Sequence, residues 1–424
     1  MVSTKWGGFA ARAALLVSSR LSGRADQATS VANTLSAVKT LQVWYSEQTG
    51  LWETTGWWNS ANCLTVLADW ALADRAGASS VNVPKIMATT FSNAQTSGGL
   101  LTTTKNLSDE GMPTSHYNFH RDELLFHNNS KRSALEARGF SGFLNEFYDD
   151  EGWWALAWIR SWDVTKQPEY LDMAERIFED MKNGTDGTCG GGIWWSKEKR
   201  YKNAIANELY LSVSASLANR IPTKKAYYLA IAQEQWTWFQ KSGMINSQNL
   251  INDGLTFLPD GITCVNNNLQ TWSYNQGVIL GGLVELARAT GDRSLLDKAV
   301  AIAQAALSKL ADEKGIIHEI DRCEPNCGDD GAQFKGVFVR NLRYLARALD
   351  GRRPAGRDTY GFEKVIDVNA ESIWTNDRNE RGELGVTWAG PVEGGPETGG
   401  RGPTAGSHSS AMDVLVADIV GGGW

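Results

Sequence analysis

Residues 163–174 read Asp-Val-Thr-Lys-Gln-Pro-Glu-Tyr-Leu-Asp-Met-Ala, a polar turn that leads into an amphipathic helix. The pattern returns at residues 289–299, Ala-Thr-Gly-Asp-Arg-Ser-Leu-Leu-Asp-Lys-Ala, and a third copy begins at Ala218. In each copy a helix ends, the chain turns over a few polar residues, and a second helix begins. Recurring helical hairpins predict either a solenoid or a closed ring.

In the rest of the chain, apolar residues recur at a spacing of 3.6 residues, which predicts helices, and helix breakers mark where these helices end. Few segments alternate between apolar and polar residues as strands do. Twelve longer helices are predicted, and they come in pairs: 25–46, 57–75, 83–94, 150–162 with 168–183, 203–218 with 224–241, 272–289 followed by 293–312, 334–349 followed by 362–376, and 409–420. A short helix is predicted at 130–138, and 97–121 is a long polar segment suited to a functional loop. Six hairpins favour an all-α (α/α)6 barrel, with 1–424 as a single catalytic domain, although two domains are also compatible with this length.

The even-numbered helices in this series of twelve are more apolar and richer in glycine, so these six helices are predicted to form the inner ring. Polar motifs lie at their N-terminal ends, at residues 56–62, 148–150, 202–208, 272–277, 333–336 and 407–413. Parallel inner helices would place all six ends on one face, around a single cleft. Helix capping is the alternative for any one of these polar side chains.

Residues 147–154, Phe-Tyr-Asp-Asp-Glu-Gly-Trp-Trp, begin one of the inner helices. Ionised carboxylates rarely occupy such aromatic surroundings without a function, so Asp149 and Asp150 are predicted to be a catalytic pair. Helix capping is again the alternative. Gly152 argues against it, because a helical glycine costs about 1 kcal/mol and suggests close approach to the backbone. At a helix N-terminus both carboxylates can face one cleft, compatible with the roughly 5–5.5 Å separation of a retaining glycosidase pair.

The amino-acid composition excludes some classes of binding partner and favours others. The net charge is −7, with 41 Lys and Arg against 48 Asp and Glu, so no basic surface for nucleic acid or anionic membranes is expected. No apolar run approaches the roughly 20 residues of a membrane span. The 18 tryptophans suit the C–H faces of sugars, although large helical cores also use tryptophan.

Motifs for other chemistry are weaker. His116 and His120 are four residues apart but lack the glutamate of a zinc protease, and the Asp pair does not continue as a magnesium-binding D-D-x-x-D motif. The glycine run 190–192 lacks the lysine of a phosphate-binding loop, and no serine lies in a G-x-S-x-G elbow. No metal or other cofactor is therefore expected.

Five cysteines favour an oxidising, secretory environment. Cys323 and Cys327 could close a small ring, Cys189 and Cys264 lie in polar loops and could pair, and Cys63 is predicted to be a buried free thiol. Sequons for N-glycosylation, which point the same way, begin at Asn106, Asn128 and Asn183. Residues 11–16 are apolar but too short for a signal-peptide core, so Met1 is expected to begin a processed or recombinant chain.

Four motifs together resemble glycoside hydrolase family 76, the endo-α-1,6-mannanases, and the loops are closest to fungal secreted members. These motifs are residues 148–154, 191–195 (Gly-Gly-Ile-Trp-Trp), 202–207 (Lys-Asn-Ala-Ile-Ala-Asn) and 271–277 (Thr-Trp-Ser-Tyr-Asn-Gln-Gly). The resemblance implies an (α/α)6 barrel, retaining hydrolysis of α-1,6-linked mannan, and no metal. It makes Asp149 the nucleophile and Asp150 the acid/base.

Motif position makes ten further residues candidates for the walls of sugar subsites: Trp57, Asn59, Asn62, Trp194, Trp195, Asn203, Asp253, Tyr274, Asn275 and Lys335. The expected partner is α-1,6-linked mannan or a manno-oligosaccharide. Some family members resemble cell-wall transglycosylases with a glycolipid anchor, but no hydrophobic tail precedes Trp424, which favours a free hydrolase. A secreted monomer is expected. Transglycosylation and non-catalytic mannan binding are the alternatives, and both endo and exo attack stay open.

Overall fold

This computed structural model describes residues 27–97, 102–107, 113–118, 142–350, 358–392 and 402–419. Thirteen helices occupy most of these residues. In chain order they are α1 (27–41), α2 (Trp57–Ala73), α3 (Arg75–Val81), α4 (Val83–Ser97), α5 (Tyr148–Thr165), α6 (Pro168–Lys182), α7 (Ala204–Arg220), α8 (Lys225–Lys241), α9 (Ser273–Thr290), α10 (Ser294–Leu310), α11 (Gly328–Asp350), α12 (Phe362–Asn376) and α13 (Ala405–Asp418). Three antiparallel hairpins join β1 (Tyr45–Ser46) to β2 (Leu51–Trp52), β3 (Thr102–Leu107) to β4 (Pro113–Asn118), and β5 (Leu255–Phe257) to β6 (Cys264–Asn266).

Six helices form a closed inner ring. Around it, α2 packs on α5, α5 on α7, α7 on α9, α9 on α11, α11 on α13, and α13 on α2 again. A helix inside such a ring is covered on all sides, so its sequence need not be amphipathic. Every residue of α7 from Ala204 to Ala218 is accordingly buried, including its serines.

The other long helices form an outer ring. Helix α4 packs on α2, α6 on α5, α8 on α7, α10 on α9, and α12 on both α11 and α13. Helix α1 joins α13, where the Thr34 hydroxyl donates to the Leu415 carbonyl over 3.2 Å. Outer helices bury only one face; in α6 the buried residues recur every three or four positions from Tyr170 to Met181. The predicted (α/α)6 barrel is confirmed.

The inner helices run parallel, because residues near their N-terminal ends contact one another. The Gln333 amide donates to the Asn59 carbonyl over 3.2 Å and to the Ser409 hydroxyl over 2.7 Å, joining α11, α2 and α13. At the same end, Trp153 of α5 and Tyr274 of α9 have ring centroids 6.5 Å apart. The polar motifs are therefore gathered at one end of the barrel.

The structure corrects the prediction for the segment 97–121, which was expected to be a loop. The segment contains the β3–β4 hairpin, in which Lys105 is paired with Ser115. Its threonine run, 102–104, has the β-branched side chains that favour extended backbone. Helix α11 also begins earlier than predicted, since Asp329 and Asp330 occupy its first turn, where the helix dipole favours acids. The helix predicted at 130–138 lies outside the described residues.

Both predicted disulfides are present. Cys189 is bonded to Cys264 and Cys323 to Cys327, while Cys63 is a buried free thiol. The first bond ties the turn before the 191–195 motif to β6, and the second closes the loop that enters α11. In the described part of the chain, none of the helices has the length and apolar character needed to cross a bilayer.

Candidate active site

The site is built on the first turn of α5, which contains three consecutive acids, Asp149, Asp150 and Glu151. The turn is held by a neighbouring segment, because the Tyr148 N–H donates to the Trp195 carbonyl over 2.9 Å. Phe147 occupies the N-cap position and provides no side-chain cap. The doubled aspartate therefore lies inside the helix, where its carboxylates are directed to other partners.

Asp149 is only partly satisfied. Its Oδ2 accepts a hydrogen bond of 3.1 Å from the Trp195 indole and lies 3.6 Å from the Lys105 ammonium. Its Oδ1 is buried and has no hydrogen-bond partner among the described residues. Burial raises the pKa of Asp149, although the charge of Lys105 and the bond from Trp195 oppose that shift. An unpaired buried oxygen is costly for stability, so its presence here favours a functional role for Asp149.

Asp150 has a partner for each oxygen. Its Oδ1 forms an ion pair with Lys105, and its Oδ2 accepts a 2.8 Å hydrogen bond from the Asn145 amide. Burial raises the pKa of Asp150 to about 6, with Lys105 opposing the shift and Asp149 adding to it. A carboxyl group with this pKa can both give and take a proton near neutral pH.

Lys105 connects the two aspartates. It lies on β3, its side chain is only 3% exposed, and its ammonium stands 4.8 Å from the centre of the Phe147 ring. One ammonium group can contact two carboxylates only when their oxygens are close together. That proximity fits the roughly 5–5.5 Å spacing of retaining glycosidases better than the roughly 6.5–9.5 Å spacing of inverting ones.

The third acid of the turn serves a different purpose. Glu151 is fully buried, and its Oε1 accepts hydrogen bonds of 2.9 Å from both the Asn145 backbone N–H and the Lys197 ammonium. Glu151 thus fixes the segment that carries Asn145, and Asn145 in turn binds Asp150. The structure separates this supporting acid from the catalytic candidates, which the sequence presents as equal neighbours.

Aromatic rings from several inner helices pack together at the same end of the barrel. Tyr274 stacks on Phe334 with ring centroids 3.9 Å apart, and Trp58 stacks on Trp153 at 5.4 Å. The Trp58 indole donates to Asp330, in the first turn of α11, over 2.9 Å.

Tyr274 lies at the centre of several carboxylates. Its pKa is raised by burial first and then by the charges of Asp253, Asp149 and Asp330, so these groups all lie near its hydroxyl. Sequence reasoning missed Lys105, Asn145 and Asp330. The available signals were a lysine within a segment already considered functional and an acid in the first turn of an inner helix.

Trp195 and Tyr274 are the predicted wall residues that the structure brings to the pair. Trp194 stacks on Phe257 at 5.6 Å and donates its indole N–H to Asp186 over 2.7 Å. Asp253 accepts a hydrogen bond of 2.5 Å from the Tyr201 hydroxyl, and burial raises its pKa to about 6.

Two predicted wall asparagines, Asn203 and Asn275, are buried at the N-terminal ends of α7 and α9. Asn203 caps α7 by accepting from the Ala206 N–H over 3.3 Å, and its amide nitrogen lacks a partner among the described residues. The side chain of Asn275 is fully buried, and within the described residues neither of its polar atoms has a partner.

The other four predicted wall residues are engaged in contacts between elements. Asn59 donates to the Gln333 amide oxygen over 3.0 Å, and Asn62 accepts from the Arg340 guanidinium over 2.7 Å. Trp57 packs against Phe143 and Trp154, with centroids 6.5 and 5.6 Å away. Lys335 forms a 2.8 Å ion pair with Glu324 and donates to the Val386 carbonyl over 2.7 Å. The assignment of all ten residues to sugar subsites stays a prediction.

One cluster among the described residues has the composition of a metal site, namely Cys323, Glu324 and Cys327. The two cysteines form a disulfide, and Glu324 is paired with Lys335. A cysteine binds a metal ion as a free thiolate, and neither Cys323 nor Cys327 is one because the two form a disulfide. Of the histidine pair considered above, His116 belongs to β4 and His120 lies outside the described residues.

Two neighbouring carboxyl groups at the polar end of a helical barrel, close to one another and bonded to an indole, form the arrangement that a glycoside hydrolase uses. The sequence profile of glycosyl hydrolase family 76 matches residues 26–421, and the chain belongs to this family. The resemblance seen in the four motifs is confirmed.

Named relatives point the same way. The chain is 29% identical to mannan endo-1,6-alpha-mannosidase DFG5 of Candida albicans over 65% of its own length and 61% of that protein. It is 28% identical to a putative mannan endo-1,6-alpha-mannosidase of Schizosaccharomyces pombe over 46% of each chain. The chain thus spans about half to three-fifths of the length of these relatives.

Solved structures share the fold. An inactive variant of the α-1,6-mannanase from Salegentibacter sp. HEL1_6, in complex with α-1,6-mannotriose, superposes with a TM-score of 0.68 at 18% identity, covering 92% of this chain and 99% of that one. Dfg5 from Chaetomium thermophilum, in complex with glucosamine, gives a TM-score of 0.67 at 17% identity, covering 92% and 90%. At these identities the similarity is evidence for the barrel alone.

Proposed function

We propose that this protein hydrolyses α-1,6-mannosidic linkages in mannan with retention of configuration, using Asp149 as nucleophile and Asp150 as acid/base. The observation that carries the proposal is the pair itself: adjacent carboxylates at the N-terminus of an inner helix, bridged by one lysine. Family membership supports glycoside hydrolysis, and the mannan mannosidases named above support the substrate. In the Salegentibacter enzyme, the inactive variant bound to mannotriose has two consecutive aspartates replaced by asparagine.

In the first step of the proposed reaction, the unpartnered Oδ1 of Asp149 attacks the anomeric carbon of a mannosyl residue. The bond to the leaving oxygen breaks, and Asp150 donates its proton to that oxygen. In the second step Asp150 takes a proton from water, which attacks the same carbon and releases Asp149 from the ester. The hydrogen bond from the Trp195 indole stabilises the charge of Asp149 before attack and after release.

The test separates the two roles. Asp149→Ala and Asp150→Ala should each lower the release of reducing sugar from linear α-1,6-mannan by at least about 10²–10⁴-fold. Added azide should rescue the two variants differently. With Asp149→Ala, azide replaces the nucleophile and gives a mannosyl azide of inverted, β configuration. With Asp150→Ala and an aryl manno-oligosaccharide, whose leaving group departs without a proton, azide replaces the water of the second step and gives the α-azide.

Asp163→Asn is the matched control, because Asp163 lies near the other end of α5 and is paired with Arg220 at 2.7 Å. Its specific activity should stay within a few-fold of the wild type. Full activity in Asp149→Ala or Asp150→Ala, or the same azide anomer from both, would overturn the assignment of roles.

We further propose that residues 1–424 form one catalytic domain and that the protein acts in a secretory or extracellular compartment as a monomer. Two disulfides and the exposed sequon asparagine Asn183 support the compartment, because disulfides persist in oxidising environments. Peptide mapping of the protein from its native host should find a glycan on Asn183. An unmodified Asn183 together with reduced cysteines would contradict the proposed compartment.

A further inference from the structure

The side chain of Lys105 is at least as buried as those of the acids that it contacts. Its side chain is 3% exposed, against 11% for Asp149 and 4% for Asp150. It reaches them from β3, which precedes α5 by some 40 residues in the chain and is not part of the barrel. Burying a lysine ammonium group costs desolvation energy, which its contacts with two carboxylates offset only in part. A functional role for Lys105 would explain why the chain keeps it there.

The charges around the pair are unbalanced without this lysine. Asp149 and Asp150 face each other from α5, and Asp330 approaches from α11, as its effect on the pKa values of Asp149 and Lys105 indicates. Tyr274 faces them from α9. Among the described residues, the other hydrogen-bond partners of the pair are neutral, namely the Trp195 indole and the Asn145 amide.

The other nearby cation is already used elsewhere. Lys197 binds Glu151 at 2.9 Å and Asp180 at 2.7 Å. Among the described residues that shift the pKa values of Asp149 and Asp150, Lys105 is therefore the one cation opposite three carboxyl groups.

We propose that Lys105 is a positioning residue that keeps one carboxylate of the pair ionised, so that a nucleophile is present beside the protonated acid at the pH at which the enzyme works. The inference rests on the proposed function of Asp149 and Asp150. Its geometric basis is the single ammonium that contacts both carboxylates from the β3–β4 hairpin.

The direction of the effect follows from electrostatics. Burial raises the pKa values of Asp149 and Asp150, and the Lys105 charge lowers them. Removing that charge raises both pKa values, so the pair holds its protons to higher pH. The acidic limb of the activity profile reports ionisation of the nucleophile and the basic limb reports loss of the proton from the acid, so both limbs should move upward.

The experiment measures kcat/KM on a linear α-1,6-linked manno-oligosaccharide against pH for the wild type, Lys105→Met and Lys105→Arg. In Lys105→Met the limbs should shift upward by about one to two pH units. On the acidic side the activity should accordingly fall about 10- to 100-fold. Lys105→Arg keeps the charge and should return the limbs toward their wild-type positions. A loss of activity with unmoved limbs, or no rescue by arginine, would mean that Lys105 has only a packing role.

Lys197→Met is the matched control, because it removes a lysine that is paired with the neighbouring acid of the same turn. It should leave both limbs in place. A shift equal to that of Lys105→Met would overturn the specific role of Lys105.

A second readout does not depend on activity. Infrared difference titration of the free protein follows protonation of buried carboxyl groups, and Asp149→Asn and Asp150→Asn assign the bands. In Lys105→Met these bands should titrate at higher pH than in the wild type, and unshifted bands would overturn the inference. If the wild type does not cleave the oligosaccharide, the proposed function fails, while this titration still decides the role of Lys105.

Discussion

The barrel contains two kinds of buried carboxylate, and the contrast between them separates chemistry from support. Asp413, on α13, receives both arms of the Arg340 guanidinium at 2.8 and 2.6 Å. Asp149 has one weakly held oxygen and one without a partner, and it shares a lysine with Asp150. Burial raises the pKa of Asp413 to about 6, as it does for Asp150. A raised pKa is therefore common to Asp413 and Asp150, and Asp149 differs from Asp413 in its unsatisfied oxygen and in the lysine that it shares with Asp150.

The largest expected effect concerns stability. Asp413→Ala leaves the Arg340 guanidinium buried without its charge partner, which should cost about 3–5 kcal/mol of unfolding free energy. Asp149→Asn should cost less than about 1 kcal/mol, since it removes a charge that is only partly satisfied. The urea midpoint at constant m-value measures both.

The double variant Asp413→Leu with Arg340→Met is the control, because replacing a whole buried ion pair by apolar side chains is often neutral. It should recover most of the stability lost in Asp413→Ala. An equal cost for Asp149→Asn and Asp413→Ala would erase the contrast between the two regions.

A smaller effect is expected from the indole that holds Asp149. Trp195→Phe removes the N–H donor and keeps an aromatic ring against Phe147, whose centroid is 5.0 Å away. A hydrogen bond to a charged group contributes about 1.5–3 kcal/mol, and this bond opposes the rise in the pKa of Asp149, so kcat/KM on the acidic side of the pH profile should fall about 10- to 100-fold.

Trp238→Phe provides the comparison for Trp195→Phe. Trp238 lies on the outer helix α8, and its indole donates a hydrogen bond to the Cys189 carbonyl. It should affect stability more than activity. If both variants lose activity equally, the bond to Asp149 has no special part in catalysis.

The fold could be predicted because its signals are local. Each signal lies within a short stretch of sequence: the helix periodicity, the polar turns and the glycine content. Together they predict the six hairpins and the inner ring. The doubled aspartate was equally visible, because it occupies one turn.

The supporting contacts could not be read in this way. Lys105 meets Asp150 across 45 positions, and Asn62 meets Arg340 across 278. No local pattern encodes such partners, so Asn62 was predicted to line a subsite although its amide oxygen binds a buried guanidinium. The side chain of Asn203 accepts a hydrogen bond from the Ala206 N–H, as expected if it caps the helix.

The central claim is that two adjacent aspartates, bridged by one lysine, perform a double displacement. Proton NMR of the sugar first released from a linear α-1,6-linked manno-oligosaccharide tests it most directly, when spectra are recorded before the anomers equilibrate. Retention predicts that the new reducing end appears as the α anomer and that the β anomer grows in later. Initial release of the β anomer would contradict the account, because it would require a single displacement by water and leave Asp149 without its role as nucleophile.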